Sequence, residues 1–292
     1  MIPASEFPQN ADGSVYHLHL HPEQLAETVI LLGDPGRVPI FSKYMERIDH
    51  KQQNREIVTH TGVYKGKTLT IMSTGMGTDN LDIVVNELDA LVNIDLKTRE
   101  IKSEKTSLNL VRIGTCGSLQ EDIEVNKFIA SAYGFGIDGL MNFYKPENDV
   151  CDRAMEQAFM DHSKWPATWP RPYFVKASNE LIERIAKNDM YRGITGTAQG
   201  FYGPQGRVVR LPLAFPQMHD VMKSFEHNSW KITNLEMETS ALYGLGQSLG
   251  HKTMTACLVV ANRVTGKFSE NYKQTMESSI EMLLDRILNI AV

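Results

Sequence analysis

Apolar residues along this chain follow two spacings. In some segments they form short runs or alternate with polar residues, as in β-strands, and in others they recur every three or four positions, as in amphipathic helices. Strands are expected within residues 28–38, 55–77, 111–118, 125–136, 173–178 and 258–266, and helices within residues 78–94, 143–159, 179–187, 234–250 and 269–291. This mixture of strands and helices predicts an α/β fold.

Other segments are rich in turn-forming or charged residues, which predict turns and loops. Residues 55–77 predict a hairpin that turns at residues 65–67, where a glycine stands between two lysines. The charged stretch 95–108 is expected to be an exposed excursion, and the proline- and tryptophan-rich stretch 165–172 a rigid loop. Residues 1–13 look like a loose N-terminal arm.

The composition limits the class of protein. With 292 residues, 42% of them hydrophobic, the chain can bury a full core as one large α/β domain or two smaller ones, and no repeat or linker divides it. A net charge of −5 and a pI near 6.0 argue against nucleic acid as a partner. We find no signal pattern and no apolar run of the ~20 residues that a membrane span needs, so we expect a cytoplasmic protein without a membrane partner.

An arginine stands in the predicted strand VRIGTCGS, residues 111–118. Since this strand is expected to be central and covered on both faces, Arg112 needs a structural carboxylate as its partner or a place at the strand's C-terminal end. Ligands of open α/β sheets bind at that end, so Arg112 and Thr115 are candidates for holding an anion. The turn GDPGR, with Gly33 and Arg37, is a second candidate for the same task.

Histidines and cysteines raise the questions of a metal and of a nucleophile. His17, His19 and His21 alternate, which would place them on one face of a short strand, but no fourth ligand is nearby, and one functional histidine is the preferred interpretation. The three cysteines are widely separated, as expected in a reducing compartment. Cys116 lies beside the proposed anion site, yet no base is adjacent in sequence, so a structural role is favoured.

Two further groups of polar residues suggest a binding site. Phe201, Gln205 and Arg207 share one glycine-rich loop. Such a loop could be ordinary surface, or its ring could stack on a planar base while the amide and the guanidinium bind the base edge. Glu236 and Glu238 flank a methionine before a predicted helix, a spacing that suits binding of sugar hydroxyls better than a glycosidase pair.

Seven motifs occur in a fixed order: GDPGR, REI, STGMG, VRIGTCGS, GFYGPQGR, EMET and VVANR. Together they resemble the nucleoside phosphorylase-I family, and within it the uridine phosphorylases, from Val15 to the C-terminal helix. The resemblance implies one α/β domain over residues 1–292 with a central mixed β-sheet flanked by helices. It also implies reversible phosphorolysis of uridine to uracil and ribose 1-phosphate in pyrimidine salvage, with deoxyuridine or thymidine as further candidate substrates.

The resemblance also assigns roles to single residues. Phosphate, the co-substrate, would be held by Gly33, Arg37, Arg112 and Thr115, with Arg55 reaching in from a neighbouring subunit. Ribose would be bound by Glu236, Met237 and Glu238, with the neighbour's His17 near its 5′ end. The base would contact Cys116, Gly117, Phe201, Gln205, Arg207, Val260 and Ala261. Arg112, Gln205 and Arg207 would carry the catalysis, no cofactor is implied, and Glu56 is a candidate ligand for potassium between subunits.

The family leaves other readings open. Its members form homodimers or hexamers of dimers that share sites across an interface, and the long stretches 95–108 and 165–172 favour a dimer here. A thiol at Cys116, where the family more often has a hydroxyl, puts a base contact there in doubt. The alternatives are a purine nucleoside phosphorylase, a nucleosidase of the same fold, and a nucleoside-binding relative without catalysis. Ala261, Asn262 and Arg263 provide no acid for a purine ring nitrogen, and a nucleosidase needs no phosphate arginines.

Overall fold

A mixed β-sheet forms the centre of the molecule. The computed structural model describes residues 1–146 and 148–290, so residue 147, in the predicted 143–159 segment, and residue 291, at the end of the predicted C-terminal helix, lie outside the described residues. Within that part of the chain, eleven strands join in one sheet and two more form a small hairpin. The predicted single α/β domain with a mixed sheet and flanking helices is confirmed.

Strands and helices alternate along most of the chain. The strands are β1 (Thr28–Leu32), β2 (Arg47–Asn54), β3 (Ile57–Tyr64), β4 (Lys67–Ser73), β5 (Ile94–Asp95), β6 (Glu100–Ile101), β7 (Asn109–Ser118), β8 (Phe128–Gly136), β9 (Tyr173–Lys176), β10 (Met190–Thr197), β11 (Glu226–His227), β12 (Trp230–Glu236) and β13 (Lys252–Asn262). The helices are α1 (Arg37–Ser42), α2 (Thr78–Asn93), α3 (Arg153–Ser163), α4 (Asn179–Ile185), α5 (Met218–Ser224), α6 (Thr239–Ser248) and α7 (Tyr272–Ile287).

Strand β7 lies at the centre of the sheet, between β1 and β13, and runs parallel to both. Its C-terminal end also pairs antiparallel with the end of β12, where Ser118 lies opposite Asn234. Because β12 pairs with β10, β10 with β8, and β8 with β13, these strands close into a ring. The closure places the C-terminal ends of β7 and β12 against each other, next to the end of β13.

The inner strands are buried along nearly their whole length. All residues of β8 are buried, and β1 is buried from its second residue onward. Continuous burial of this kind is typical of strands that are covered on both faces, and it explains why their sequences are apolar runs. In the described part of the chain, no helix combines the length and the apolar character that a membrane crossing requires.

The predicted hairpin and the helix after it match the structure, but two other segments differ. Strands β3 and β4 pair up to Tyr64 and Lys67, as the turn residues indicated. Residues 14–22 form no extended strand, because only Val15 makes a bridge and His19 has φ of 56°. No strand was expected just before the loop of Phe201, Gln205 and Arg207, where residues 190–197 form strand β10. There Gly193 permits close packing, since an added Cβ would lie 2.2 Å from Thr233 Cγ2.

The N-terminal arm is anchored to the charged segment 95–108. The amide of Ile2 donates to the carbonyl of Arg99 at 2.8 Å, and Gln9 Nε2 donates to the carbonyl of Leu96 at 2.9 Å. The small β5–β6 hairpin lies in this exposed segment. The two segments hold each other, so residues 1–13 are docked on the domain rather than loose as predicted.

Candidate active site

A cavity of about 730 Å³ opens where the C-terminal ends of β1, β7, β12 and β13 meet. Most of the residues predicted for a site line it, namely Gly33, Arg37, Glu56, Arg112, Thr115, Cys116, Gly117, Phe201, Gln205, Arg207, Glu236, Met237, Glu238, Val260 and Ala261. The sequence analysis missed Asp34, Pro35, Gly75, Met76, Asn80, Leu235 and Phe268, which complete its lining. Asp34, Pro35, Gly75 and Met76 belong to the motifs GDPGR and STGMG, which are the signal that could have identified them. Asn80, Leu235 and Phe268 reach the cavity only through the fold.

A second, larger cavity of about 1120 Å³ lies on the other side of the loop that follows β10. Its lining is mainly aromatic, aliphatic and proline side chains, including Trp165, Trp169 and Phe215, and it shares Arg207 with the first cavity. The first cavity, in contrast, collects buried arginines and glutamates at strand ends. Because convergent charged groups in a cleft are the usual mark of a reactive site, the smaller cavity is the candidate active site.

Two arginines form one end of this cavity. Arg37, at the start of α1, donates from Nη1 to the carbonyl of Ile113 at 3.3 Å. Burial lowers the pKa of Arg37, and the charge of Arg112 lowers it further. Two guanidinium groups that repel each other in a buried place favour a bound anion, which would offset the repulsion.

Arg112 has the carboxylate partners that its place in a buried strand required, although it lies in the first half of β7 and not at the strand's C-terminal end. Its side chain is 4% exposed, Nη1 lies 3.1 Å from Glu236 Oε2, and Nη2 pairs with Glu238 Oε2. Burial alone would lower the pKa of Arg112, but the two carboxylates raise it above the ordinary value. Its Nε is buried and has no hydrogen-bond partner within the described residues. Arg112 is therefore both a structural ion-pair partner and a cation at the cavity wall.

The two glutamates before α6 have different tasks. Glu236 accepts hydrogen bonds from the Thr197 hydroxyl at 2.6 Å and from the backbone amides of residues 238 and 239 at 3.0–3.1 Å. It therefore fixes the entry into the helix. Glu238 accepts from the amide of Gly77 at 2.7 Å and keeps acceptor capacity toward the cavity. Burial raises the pKa of Glu238, and the Glu236 charge adds to that shift while Arg112 opposes it.

The other end of the cavity is formed by the loop after β10. The Arg207 guanidinium stacks over the Phe201 ring at 3.9 Å from its centroid. Its Nη1 donates to the Phe201 carbonyl and to Gln205 Oε1, both at 2.6 Å. Gln205 is 3% exposed, so its amide is held in a buried place. An aromatic face, a primary amide and a guanidinium are thus brought together, as the loop spacing indicated.

Arg263, just after β13, was not assigned a role from the sequence. Its Nη1 donates to the carbonyl of Gln205 at 2.5 Å, and its amide donates to the carbonyl of Ser118 at 2.9 Å. Burial and the nearby Arg207 lower the pKa of Arg263 to about 10. Arg263 therefore ties the loop of Gln205 to the ends of β7 and β13. Its position directly after the VVAN strand end is the one signal that could have identified it.

The thiol of Cys116 lies at the cavity wall but is 4% exposed. Burial raises the pKa of Cys116, and the neighbouring Cys257 thiol raises it further. A neutral thiol is a poor nucleophile, because the thiolate is the reactive form. The environment therefore favours the structural role that the sequence suggested.

His17 and Arg55 do not line the cavity of their own chain. The next residue, Glu56, does line it, and its Oε1 accepts from Asn80 Nδ2 at 3.3 Å. Potassium binding at Glu56 stays a prediction.

Two of the alternating histidines lie beside one aspartate. His19 and His21 lie 3.6 and 3.8 Å from one carboxylate oxygen of Asp12. Across residues 1–146 and 148–290, no group of three or more histidine, cysteine, aspartate or glutamate side chains is placed to hold a metal ion.

Comparison with known proteins places this architecture in a family. Residues 27–289 match the model of the phosphorylase superfamily. A uridine phosphorylase of Thermococcus kodakarensis is 29% identical over 273 residues, which cover 91% of this chain and 84% of that protein. A DeoD-type purine nucleoside phosphorylase of Bacillus cereus is 26% identical over 272 residues, covering 92% of this chain and 97% of that protein.

Solved structures show the same relationship. A Trypanosoma brucei nucleoside phosphorylase that shows uridine phosphorylase activity superposes with a TM-score of 0.87 at 29% identity, covering 97% of this chain and 99% of that chain. A Toxoplasma gondii purine nucleoside phosphorylase at 20% identity has a TM-score of 0.66 and shares the fold. The predicted resemblance to the nucleoside phosphorylases is confirmed, and the chain belongs to the phosphorylase superfamily.

Proposed function

We propose that this protein catalyses the reversible phosphorolysis of uridine to uracil and ribose 1-phosphate. The observation that carries the proposal is the base end of the cavity, where Phe201, Gln205 and Arg207 lie in contact. An amide that can both accept and donate suits the imide edge of uracil, which offers one N–H between two carbonyls. A guanidinium beside it suits the second carbonyl, and the ring offers a stacking surface.

The other end of the cavity suits phosphate and ribose. Arg37 and Arg112, with Gly33 and Thr115 beside them, would hold inorganic phosphate through charge-assisted hydrogen bonds. Glu238 would accept hydrogen bonds from ribose hydroxyls, and Met237 would pack on the sugar. The phosphate would thus lie next to the anomeric carbon, and holding both reactants in one cavity supplies part of the rate enhancement by proximity.

The chemistry requires no protein nucleophile. As the glycosidic bond stretches, positive charge develops on the ribose ring and negative charge on the departing uracil. Arg207 and the Gln205 amide would stabilise the charge on the base, so they act mostly in the transition state. Phosphate oxygen then forms the new bond to the anomeric carbon, and uracil leaves with the electron pair of the broken bond.

The site would be completed by a second copy of the chain. His17 and Arg55 lie outside the cavity of their own chain, but Asn54 Nδ2 donates to the His17 carbonyl at 2.9 Å, so the two residues are presented at one place on the surface. We propose that they enter a neighbour's cavity, with Arg55 near phosphate and His17 near the 5′ end of ribose. This arrangement requires a homodimer, alone or within a hexamer.

A purine substrate is less well supported by the geometry. An acid that protonates a purine ring nitrogen would be expected near the end of β13, where the chain has Asn262. Both ends of that amide are occupied, because Nδ2 donates to the carbonyls of Gln120 and Ile123 at 2.8 Å and Oδ1 accepts two backbone amides at 2.9 Å. Asn262 therefore builds the turn rather than contacting a base.

The first experiment follows the release of uracil from uridine by ultraviolet absorbance, with and without inorganic phosphate, and uses inosine as the control nucleoside. Phosphate-dependent release from uridine with little action on inosine is expected. Release without phosphate would indicate a hydrolase and refute the phosphate assignments. Preferred cleavage of inosine would indicate a purine phosphorylase, and no cleavage of either nucleoside would indicate a binding protein. Deoxyuridine and thymidine then test the tolerance at the 2′ and C5 positions.

A further inference from the structure

A buried carboxylate outside the cavity binds the segment that carries His17. Glu87 lies on α2 and is 8% exposed. Its oxygens accept from the amide of His17 at 2.9 and 3.0 Å, from the amide of Leu18 at 2.8 Å, and from His17 Nδ1 at 2.6 Å. Hydrogen bonds to an ionised acceptor are among the strong ones in proteins. The ring and the backbone of His17 are therefore fixed by the same side chain.

The contact also sets the chemistry of the ring. A carboxylate can only accept a hydrogen bond, so the imidazole nitrogen that faces it, Nδ1, carries the proton in the neutral ring. The other nitrogen, Nε2, is then left with a lone pair. About a quarter of the His17 side chain is exposed. The edge of the ring opposite Glu87 is thus a hydrogen-bond acceptor for a hydroxyl.

Contacts within the same chain also position Arg55 relative to His17. The side-chain amide of Asn54 donates from Nδ2 to the carbonyl of His17 at 2.9 Å, and the chain turns directly afterwards at Arg55, whose φ is 52°. Glu87 holds His17 from the helix, and Asn54 holds it from the end of β2. The two residues proposed to reach a neighbouring site are therefore positioned relative to each other by contacts within one chain.

We propose that Glu87 is a positioning residue that sets the preference for nucleosides with a free 5′-hydroxyl. It holds His17 in the tautomer whose Nε2 accepts the hydrogen bond of that hydroxyl in the cavity of a second copy. This inference rests on the proposed function, because it requires a nucleoside in that cavity. It differs from a purely structural role of Glu87, which would support the N-terminal segment without discriminating between substrates.

The discriminating measurement is the ratio of kcat/KM for uridine to kcat/KM for 5′-deoxyuridine, in wild type and in Glu87→Gln. A glutamine can turn a donor toward Nδ1 and so favour the wrong tautomer. We expect the ratio to fall about tenfold, which corresponds to the loss of one hydrogen bond. A structural role alone would lower both values together and leave the ratio unchanged, and that result would overturn the inference.

Asp89→Asn is the matched control, because Asp89 is a carboxylate on the same helix that also faces a histidine, with Oδ1 3.3 Å from His251 Nε2. We expect the ratio to stay at the wild-type value in this variant. An equal fall in Asp89→Asn would mean that any change in α2 alters the ratio, which would also overturn the role of Glu87.

A second measurement is made on the wild-type protein and needs a variant only to assign the signal. Nitrogen-15 NMR of protein labelled at histidine, recorded at rising pH until the His17 signal no longer changes, reports which nitrogen of the neutral ring is protonated. His17→Asn identifies the signal. Protonation at Nδ1 is expected, and protonation at Nε2 would overturn the inference. If the wild type cleaves uridine but shows a ratio near one, this inference fails alone; if it cleaves no nucleoside, the proposed function fails.

Discussion

The two ends of the cavity are built in different ways. At the end proposed to bind phosphate and ribose, Arg112 lies within β7, Glu236 ends β12, and Glu238 directly precedes α6. Each is 4% exposed, and ion pairs hold the three together. At the base end, Phe201 is 50% exposed and Arg207 is partly buried, on a loop with little regular structure. On the proposed assignment, recognition of phosphate and ribose is part of the core, whereas recognition of the base lies on a loop that could change without rebuilding the sheet.

If this contrast holds, substitutions at the charged end should reduce stability and activity together. Replacing Arg112 with methionine leaves two buried carboxylates without their cation. Breaking a buried pair in this way typically costs about 3–5 kcal/mol of stability. We expect such a loss in the free energy of unfolding from urea titration, and a fall of roughly 1,000-fold in kcat/KM for uridine, since a loss of ~4 kcal/mol in binding the transition state has that effect.

The double variant Arg112→Met/Glu238→Gln is the control for this prediction, because it removes one of the orphaned charges. It should recover part of the stability but none of the activity. Wild-type stability in the single variant would show that the ion pairs contribute little, and the contrast between the two ends would be lost.

At the base end, activity should fall with a much smaller change in stability. Arg207→Ala is expected to lower phosphorolysis of uridine by ~100-fold or more, by analogy with the loss of one oxyanion donor. Its free energy of unfolding should fall by only about 1 kcal/mol, because Arg207 is partly buried and the variant loses its hydrogen bonds to the Phe201 carbonyl and to Gln205. Arg210→Ala, an exposed arginine three residues later, is the matched control and should keep its turnover. Turnover near the wild-type value in Arg207→Ala would refute its role in catalysis.

The same contrast explains what the sequence could and could not predict. The strand containing Arg112 is an apolar run with one charge, so its place in the core and its need for an anionic partner follow from simple rules. The group of Phe201, Gln205 and Arg207 could be recognised as a candidate base-binding loop because the three residues are close in sequence. Asn80 and Phe268 could not be found this way, because they reach the cavity only through the packing of distant segments.

Two local predictions were wrong for related reasons. The alternation of residues 14–22 suggested a strand, but Glu87, far along the chain, takes the amides of His17 and Leu18 that a strand partner would use. No strand was expected at residues 190–197, which form β10, where Gly193 is required by close contact with Thr233 on the neighbouring strand. In both cases a tertiary contact outweighed the local pattern.

A smaller effect with a defined pH dependence is expected at Glu238. In the proposed site, the ionised carboxylate accepts hydrogen bonds from the ribose hydroxyls more strongly than the neutral acid would. Burial and the nearby Glu236 charge raise the pKa of Glu238 above the ordinary 4.5. As the pH falls, Glu238 is therefore protonated before an exposed glutamate would be, and kcat/KM for uridine should decline already above pH 4.5. Glu238→Gln should be about tenfold less active, from the loss of a hydrogen bond to a charged group, and should lack this decline. An unchanged acid limb in Glu238→Gln would assign the titration to another group.

The smallest effect is expected at Cys116, which lies at the wall between the two ends. Its buried thiol has a raised pKa and stays protonated at neutral pH, so it should neither attack the ribose nor react readily with iodoacetamide. Cys116→Ala should keep kcat/KM for uridine within about threefold of wild type, since a change of ~0.5 kcal/mol is typical of substitutions without a specific role. Turnover assays together with mass spectrometry of the alkylated protein check both points. Loss of turnover in Cys116→Ala, with rapid alkylation of the wild type, would show that burial does not hold the thiol neutral and that a covalent role must be considered.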